Sequence, residues 1–189
     1  FRSSARATPV SVPPVPTPAT KISTSPSVSS QISGPVVPPP EACRPAAQVL
    51  GERSARRAAF WEMEWGALDA RYVTEPAHAA ENGSSRLMLW IKAESKLPDD
   101  PRIHQMVLAY LSDISLLSVS TVTHPVEFMS PSLQAASIDH AMWFHRSARA
   151  DEWLLYDQAS PSASGGLGFS QGRLFAADGT LAASCAQQG

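Results

Sequence analysis

Between residues 101 and 117 apolar side chains return every three or four positions: Ile103, Met106, Val107, Tyr110, Leu111, Ile114 and Leu117. That spacing puts them on one stripe and predicts a long helix from Pro101 to about Leu117, packed against a sheet. Asp100 is placed to cap the first turn, and Pro101 falls where its missing N–H would have had no helical partner. At about 100° per residue Asp113 lies on the edge of the stripe, beside Met106 and Leu117, so its carboxylate is expected to be partly buried.

Strand signals surround this helix. Phe60 to Trp65, Arg86 to Ala93, Leu133 to His145, Trp153 to Ala159 and Gly168 to Ala177 are rich in aromatic or branched residues and bounded by Pro, Gly, Asp or Ser. Asp178-Gly179 predicts a two-residue hairpin, with a last strand running from Thr180 to the end. One long helix among hairpin-connected strands argues for an α+β domain whose antiparallel sheet wraps the helix.

Composition divides the chain near residue 41. Residues 1–40 hold 10 of the 17 prolines and 9 serines, contain no acid, and carry Phe1 as their only aromatic. Such a segment cannot bury enough apolar area to offset chain entropy, and it is expected to be a disordered linker ahead of a domain over 50–189. The chain as a whole has 15 Lys and Arg against 17 Asp and Glu, so there is no global basic field to attract a nucleic-acid backbone, and no nucleic-acid partner is expected. Removing Arg2, Arg6 and Lys21 leaves 12 basic and 17 acidic residues after position 40, a net charge of −5. No stretch approaches the roughly 18 uninterrupted apolar residues of a bilayer span. Two cysteines, Cys43 and Cys185, are too few for a disulfide scaffold or a four-thiolate zinc site.

Several chemical signatures fail on context. Gly168-Phe169-Ser170-Gln171-Gly172 matches the G-x-S-x-G nucleophile elbow, but that elbow needs a helix after the serine and a histidine downstream. Here Arg173-Leu174-Phe175 leads into a hairpin and no histidine follows His145, so the motif reads as a strand. His140 and His145, five apart on a presumed strand, point to opposite faces and with Asp139 make no metal site. His140 alternates with Ile138 and Met142 and reads as a hydrogen-bonded core histidine, and Trp143 and Trp153 read as packing. Gly165, Gly166 and Gly168 do not lie between a strand and a helix, so they form no usual phosphate cradle.

A longer pattern carries more. Leu97-Pro98-Asp99-Asp100-Pro101-Arg102-Ile103-His104-Gln105, Leu108-Ala109-Tyr110-Leu111-Ser112-Asp113 and Ser137-Ile138-Asp139-His140-Ala141-Met142-Trp143-Phe144-His145-Arg146 follow one another in order. Glu152-Trp153-Leu154-Leu155-Tyr156, Ser162-Ala163-Ser164-Gly165-Gly166, and Asp178-Gly179 through Ala186-Gln187-Gln188-Gly189 continue it. This order resembles the C-terminal half of the type II acyl-CoA thioesterases, the TesB-like and peroxisomal family, over about residues 86–189 and more weakly back to about 50.

The resemblance implies a hotdog fold, in agreement with the elements read above. It implies that this is the second of two hotdog copies, with an ending shorter than is usual for the family. It also implies a site at the interface of paired copies, built from Asp113 on the central helix, Ser137 where the family has Thr, and Gln187 near the end of the last strand. The implied reaction is hydrolysis of fatty acyl-CoA to free fatty acid and coenzyme A by direct attack of water, with no cofactor and no metal. Asp113 would draw off the water's proton while Ser137 and Gln187 orient it. The implied partners are acyl-CoA and a second hotdog, in cis or in trans, within a higher oligomer. The implied compartment is cytoplasm for a bacterial protein and peroxisomal matrix for a eukaryotic one. The alternative reading is a non-catalytic hotdog half that binds acyl-CoA or pairs with a partner structurally.

Overall fold

The periodic stretch after Asp100 folds as a helix in a computed structural model that describes residues 33–126, 128 and 130–189. The α-helices among the described residues are α1 (Ala46–Arg53), α2 (Ala55–Trp65), α3 (Pro76–Glu81) and α4 (Pro101–Asp113). Asp100 caps α4 by accepting the backbone N–H of Arg102 at 3.0 Å, and Pro101 occupies the first turn. α4 ends at Asp113 rather than Leu117, and Leu117–Thr121 forms a separate 3-10 turn.

Its buried face is rotated from the apolar stripe. His104, Leu108, Leu111 and Ser112 are buried, whereas Met106 is 64% and Tyr110 48% exposed. At about 100° per residue the two faces differ by about a third of a turn. Polar partners make this possible. His104 Nδ1 accepts the Ala150 backbone N–H at 3.1 Å, and the Ser112 hydroxyl donates to the Ala109 carbonyl at 2.8 Å. Tyr110 packs on Trp65, with ring centroids 5.1 Å apart, and donates its hydroxyl to the Glu64 carbonyl.

The strands are β1 (Arg44–Pro45), β2 (Leu68–Tyr72), β3 (Arg86–Ala93), β4 (Asp139–Phe144), β5 (Leu154–Ser164), β6 (Leu167–Ala176) and β7 (Leu181–Gln188). Among the described residues they form one antiparallel sheet in the order β1-β2-β3-β5-β6-β7-β4. β3 spans the expected residues. The expected strand Phe60 to Trp65 is instead the end of α2: Trp61 and Trp65, four apart, pack together on the core as helix neighbours do. The expected strand from Leu133 shrinks to β4, which leaves Ser137 in the segment before it. Gly165 and Gly166, with φ of 62° and 79°, make the two-residue turn between β5 and β6. The turn at Asp178-Gly179 is longer than two residues, and Asp178 Oδ1 accepts the Thr180 backbone N–H at 2.9 Å within it.

Leu89 and Ile91 of β3, Leu154 and Tyr156 of β5, Leu174 of β6 and Ala183 of β7 line the inner face and form one core with Leu108 and Leu111 of α4. Pro101–Thr121 has the length and mean hydropathy of a membrane-crossing helix, and Leu108 and Leu111 within it are buried in this core. On the outer face, the nearly inaccessible Asp157 carboxylate accepts from Arg86 and Arg173. Residues 33–40 do not behave as linker: Trp90 Nε1 donates to the Pro38 carbonyl at 2.8 Å, Gly34 N–H donates to the Gly179 carbonyl at 2.9 Å, and Ser33 bridges to Thr180. The ordered body therefore begins ahead of both residue 41 and residue 50, because the outer-face aromatics Trp90 and Phe175 need cover. The rest of the expected linker, residues 1–32, lies outside the described residues.

Candidate active site

Near its C-terminal end β7 carries Gln187, fully buried, with His140 of β4 and Ser170 of β6 as its cross-strand partners. Gln187 Nε2 donates to Asp113 Oδ1 at 2.7 Å and also to Ser137 Oγ. Three residues scattered along the chain thus meet at one amide, and they are the three that the sequence singled out. Asp113 differs from expectation in being 56% exposed. It lies in the last turn of α4, away from the sheet-facing residues His104, Leu108 and Leu111.

Two neighbours hold Asp113 in place. Tyr156, fully buried on β5, donates its hydroxyl to the Ser112 backbone carbonyl at 2.5 Å, tying the end of α4 to the sheet. Burial pushes the Tyr156 phenol far above its ordinary pKa, so it remains a donor through the working pH range. His140 Nε2 lies 2.8 Å from Ser112 Oγ, and its Nδ1 faces Asp113 Oδ1 at 3.8 Å. His140 is thus hydrogen-bonded as expected, but it is not a core residue: it sits exposed on the edge strand β4, with its imidazole about one-quarter accessible. Sequence reasoning passed over Ser112 and Tyr156 as placement devices. The available signal was a serine inside an apolar helix directly before a carboxylate.

Other residues weighed from sequence lie elsewhere. Asp139 Oδ1 accepts the Gln188 backbone N–H, and His145 Nε2 lies 2.9 Å from Ser184 Oγ, so neither joins His140. Among the described residues no group of three or more His, Cys, Asp or Glu side chains is placed to hold a metal. Trp153 packs between Arg71 and Lys92, with their charged groups 5.1 and 5.2 Å from its ring. Trp143, expected as packing, is instead 53% exposed on the edge strand β4, and Phe144 after it is exposed as well.

Two cavities adjoin the site. One, of about 580 Å³, lies between α1–α2 and the end of α4, with Leu50, Phe60, Trp61, Trp65, Ile114 and Ser115 in its wall. The other, of about 460 Å³, has Ala136 and Ile138, which flank Ser137, in its wall with Leu117 and Gly189. Both cavities touch Thr121, His124, Val126 and Phe128.

An antiparallel sheet packed on one long helix, with polar residues gathered at the helix end, defines a hotdog domain of the thioesterase class. Residues 66–189 match the family model for acyl-CoA thioesterases, and the chain belongs to that family. A solved acyl-CoA thioesterase II from Mycobacterium marinum is 39% identical with a TM-score of 0.68, over 86% of this chain and 56% of that one. Human acyl-coenzyme A thioesterase 8 is 32% identical over 84% of this chain and 53% of its own length. Acyl-CoA thioesterase 2 of Haemophilus influenzae is 37% identical over 63% of this chain and 41% of its own. The chain therefore spans about half the length of these relatives, which come from both bacteria and mammals.

Proposed function

We propose that the chain is the hydrolytic half of a double-hotdog acyl-CoA thioesterase, which cleaves fatty acyl-CoA to a free fatty acid and coenzyme A. The observation that carries this reading is the convergence of Asp113 and Ser137 on the buried amide of Gln187. A water beside Asp113 attacks the thioester carbonyl carbon and passes a proton to the carboxylate. The tetrahedral intermediate then expels the thiolate as the C–S bond breaks. That thiolate takes the proton back from Asp113 to give coenzyme A, which restores the carboxylate, and no acyl group is ever attached to the protein. Ser137 and Gln187 fix the water and the carboxylate in line. The cavity beside Ile114 and Ser115, apolar along Phe60, Trp61 and Trp65, is where the acyl chain lies.

The exposure of Asp113 and the apolar edge at Trp143 and Phe144 support a second hotdog closing the site from the β4 side. With that partner present, Asp113→Asn lowers kcat for acyl-CoA hydrolysis by about 10²- to 10⁴-fold without loss of fold, the usual range for a lost general base. Thiol release measured with a fatty acyl-CoA checks it, and near-normal turnover contradicts the assignment.

A further inference from the structure

His140 turns one ring nitrogen toward Asp113, and the groups around it fix which nitrogen carries the proton. Ser112 has a single hydroxyl hydrogen, which it donates to the Ala109 carbonyl at 2.8 Å. His140 Nε2, 2.8 Å from the same Ser112 oxygen, is therefore the donor in that contact, and Nδ1 is bare. The spacing agrees. An N–H aimed at a carboxylate closes to about 2.8 Å, whereas Nδ1 stands 3.8 Å from Asp113 Oδ1.

Gln187, the cross-strand partner of His140, does not serve that nitrogen, because its two amide hydrogens go to Asp113 and Ser137. Two acceptors, an imidazole nitrogen and a carboxylate oxygen, thus stand side by side, and both side chains are open to solvent, at 24% and 56%. Such a pair fits the two hydrogens of one water. An oxygen about 2.8 Å from each atom, over the 3.8 Å base, has them about 85° apart, so both O–H bonds reach their acceptors with little bending. Ser137 completes the set. Its oxygen accepts from Gln187, which leaves its own O–H to donate into a lone pair of the same water.

We propose that His140 is a further catalytic residue, the second acceptor that holds the attacking water; the inference rests on the hydrolytic reading. One O–H of the water points at Asp113 and the other at His140 Nδ1. Ser137 occupies one lone pair, and the remaining lone pair faces the thioester carbonyl carbon. On attack that pair forms the C–O bond, the carbonyl π electrons move to the carbonyl oxygen, and the hydrogen on the Asp113 side passes to the carboxylate. The hydrogen on the His140 side stays on the water's oxygen and leaves with the fatty acid, so His140 orients the nucleophile and takes no proton. With Asp113 as the sole acceptor the water could rotate about that one bond and turn its lone pair away.

Two substitutions separate this role from a merely structural one, because each keeps a different end of the imidazole. His140→Asn sets an amide oxygen near the place of Nδ1 and gives up the contact with Ser112. His140→Gln reaches Ser112 and leaves no acceptor at the place of Nδ1. In the paired, complete protein kcat for a fatty acyl-CoA falls about 10-fold in His140→Gln and about 2- to 3-fold in His140→Asn, with KM within about twofold in both, as one hydrogen bond to the water is lost or kept. A second measurement needs no variant: 15N NMR of wild type, at a pH well above the ordinary histidine range, shows the His140 proton on Nε2 and Nδ1 bare. A His140→Gln enzyme as active as His140→Asn, or a proton on Nδ1, overturns the inference, and the hydrolytic reading stands if Asp113→Asn still abolishes turnover. If wild type releases no thiol from acyl-CoA, both fall together.

Discussion

Ser137 contributes a hydroxyl from a segment with no strand neighbour on either side, because β4 begins two residues later. Its χ1 is therefore held mainly by the contact with Gln187 Nε2. A threonine there would carry the same hydroxyl with fewer rotamers open to it. Ser137→Ala is expected to lower kcat by about 10-fold, less than the loss of Asp113, because an orienting hydrogen bond is removed and the base remains. Ser137→Thr is expected to hold or raise the wild-type rate. Steady-state turnover of one acyl-CoA by both variants checks the pair, and a threonine variant much slower than the alanine variant contradicts this placement of Ser137.

The element that presents Asp113 is α4, and its entry is fastened from a distance. The inaccessible carboxylate of Asp151 accepts the Leu97 backbone N–H at 3.0 Å and two guanidinium contacts from Arg149, which also reaches Asp99 just before the helix. Arg149 is thus occupied in the fold. Its guanidinium, chiefly, holds the Asp151 carboxyl well below the usual carboxylate range, against the opposing effect of burial. A group whose pKa is depressed on folding adds stability that is complete above its unfolded value, about 3.9, and is lost as pH falls further toward the folded value. Arg149→Met is therefore expected to lower Tm by about 5 °C at pH 7 and by clearly less near pH 3. Thermal melts across that range check it, and an equal deficit at both pH values contradicts it.

The same helix shows what the sequence made legible and what it did not. The cap at Asp100 and the extent of β3 are written in local residues, so both were readable in advance. The buried face of α4 was not, because periodicity counts apolar residues, and His104 and Ser112 are buried by virtue of distant partners. α2 was missed because its aromatics resemble a strand until their spacing of four is weighed. Asp113, Ser137 and Gln187 carry no common local signal. Only the order of motifs shared with a family pointed to them, and the sheet register explains how they come to meet.

At the scale of the whole molecule, the sheet ends in β4, whose outer edge has no partner strand among the described residues and which exposes Trp143 and Phe144. Met106 adds exposed apolar surface on α4. An open strand edge that exposes apolar side chains invites pairing with another copy, and the chain covers about half the length of the human and Mycobacterium marinum relatives. On the proposed function, this hotdog hydrolyses acyl-CoA through Asp113 only when a second hotdog closes the β4 side. The direct test measures mass in solution and acyl-CoA hydrolysis on the same samples, with the chain alone and joined in cis or in trans to the first hotdog of a two-copy family member. Self-association or aggregation with poor turnover by the chain alone, and a soluble, active pair once the partner is added, is the predicted result. A stable, fully active monomer would contradict it, since the site would then be complete within one copy.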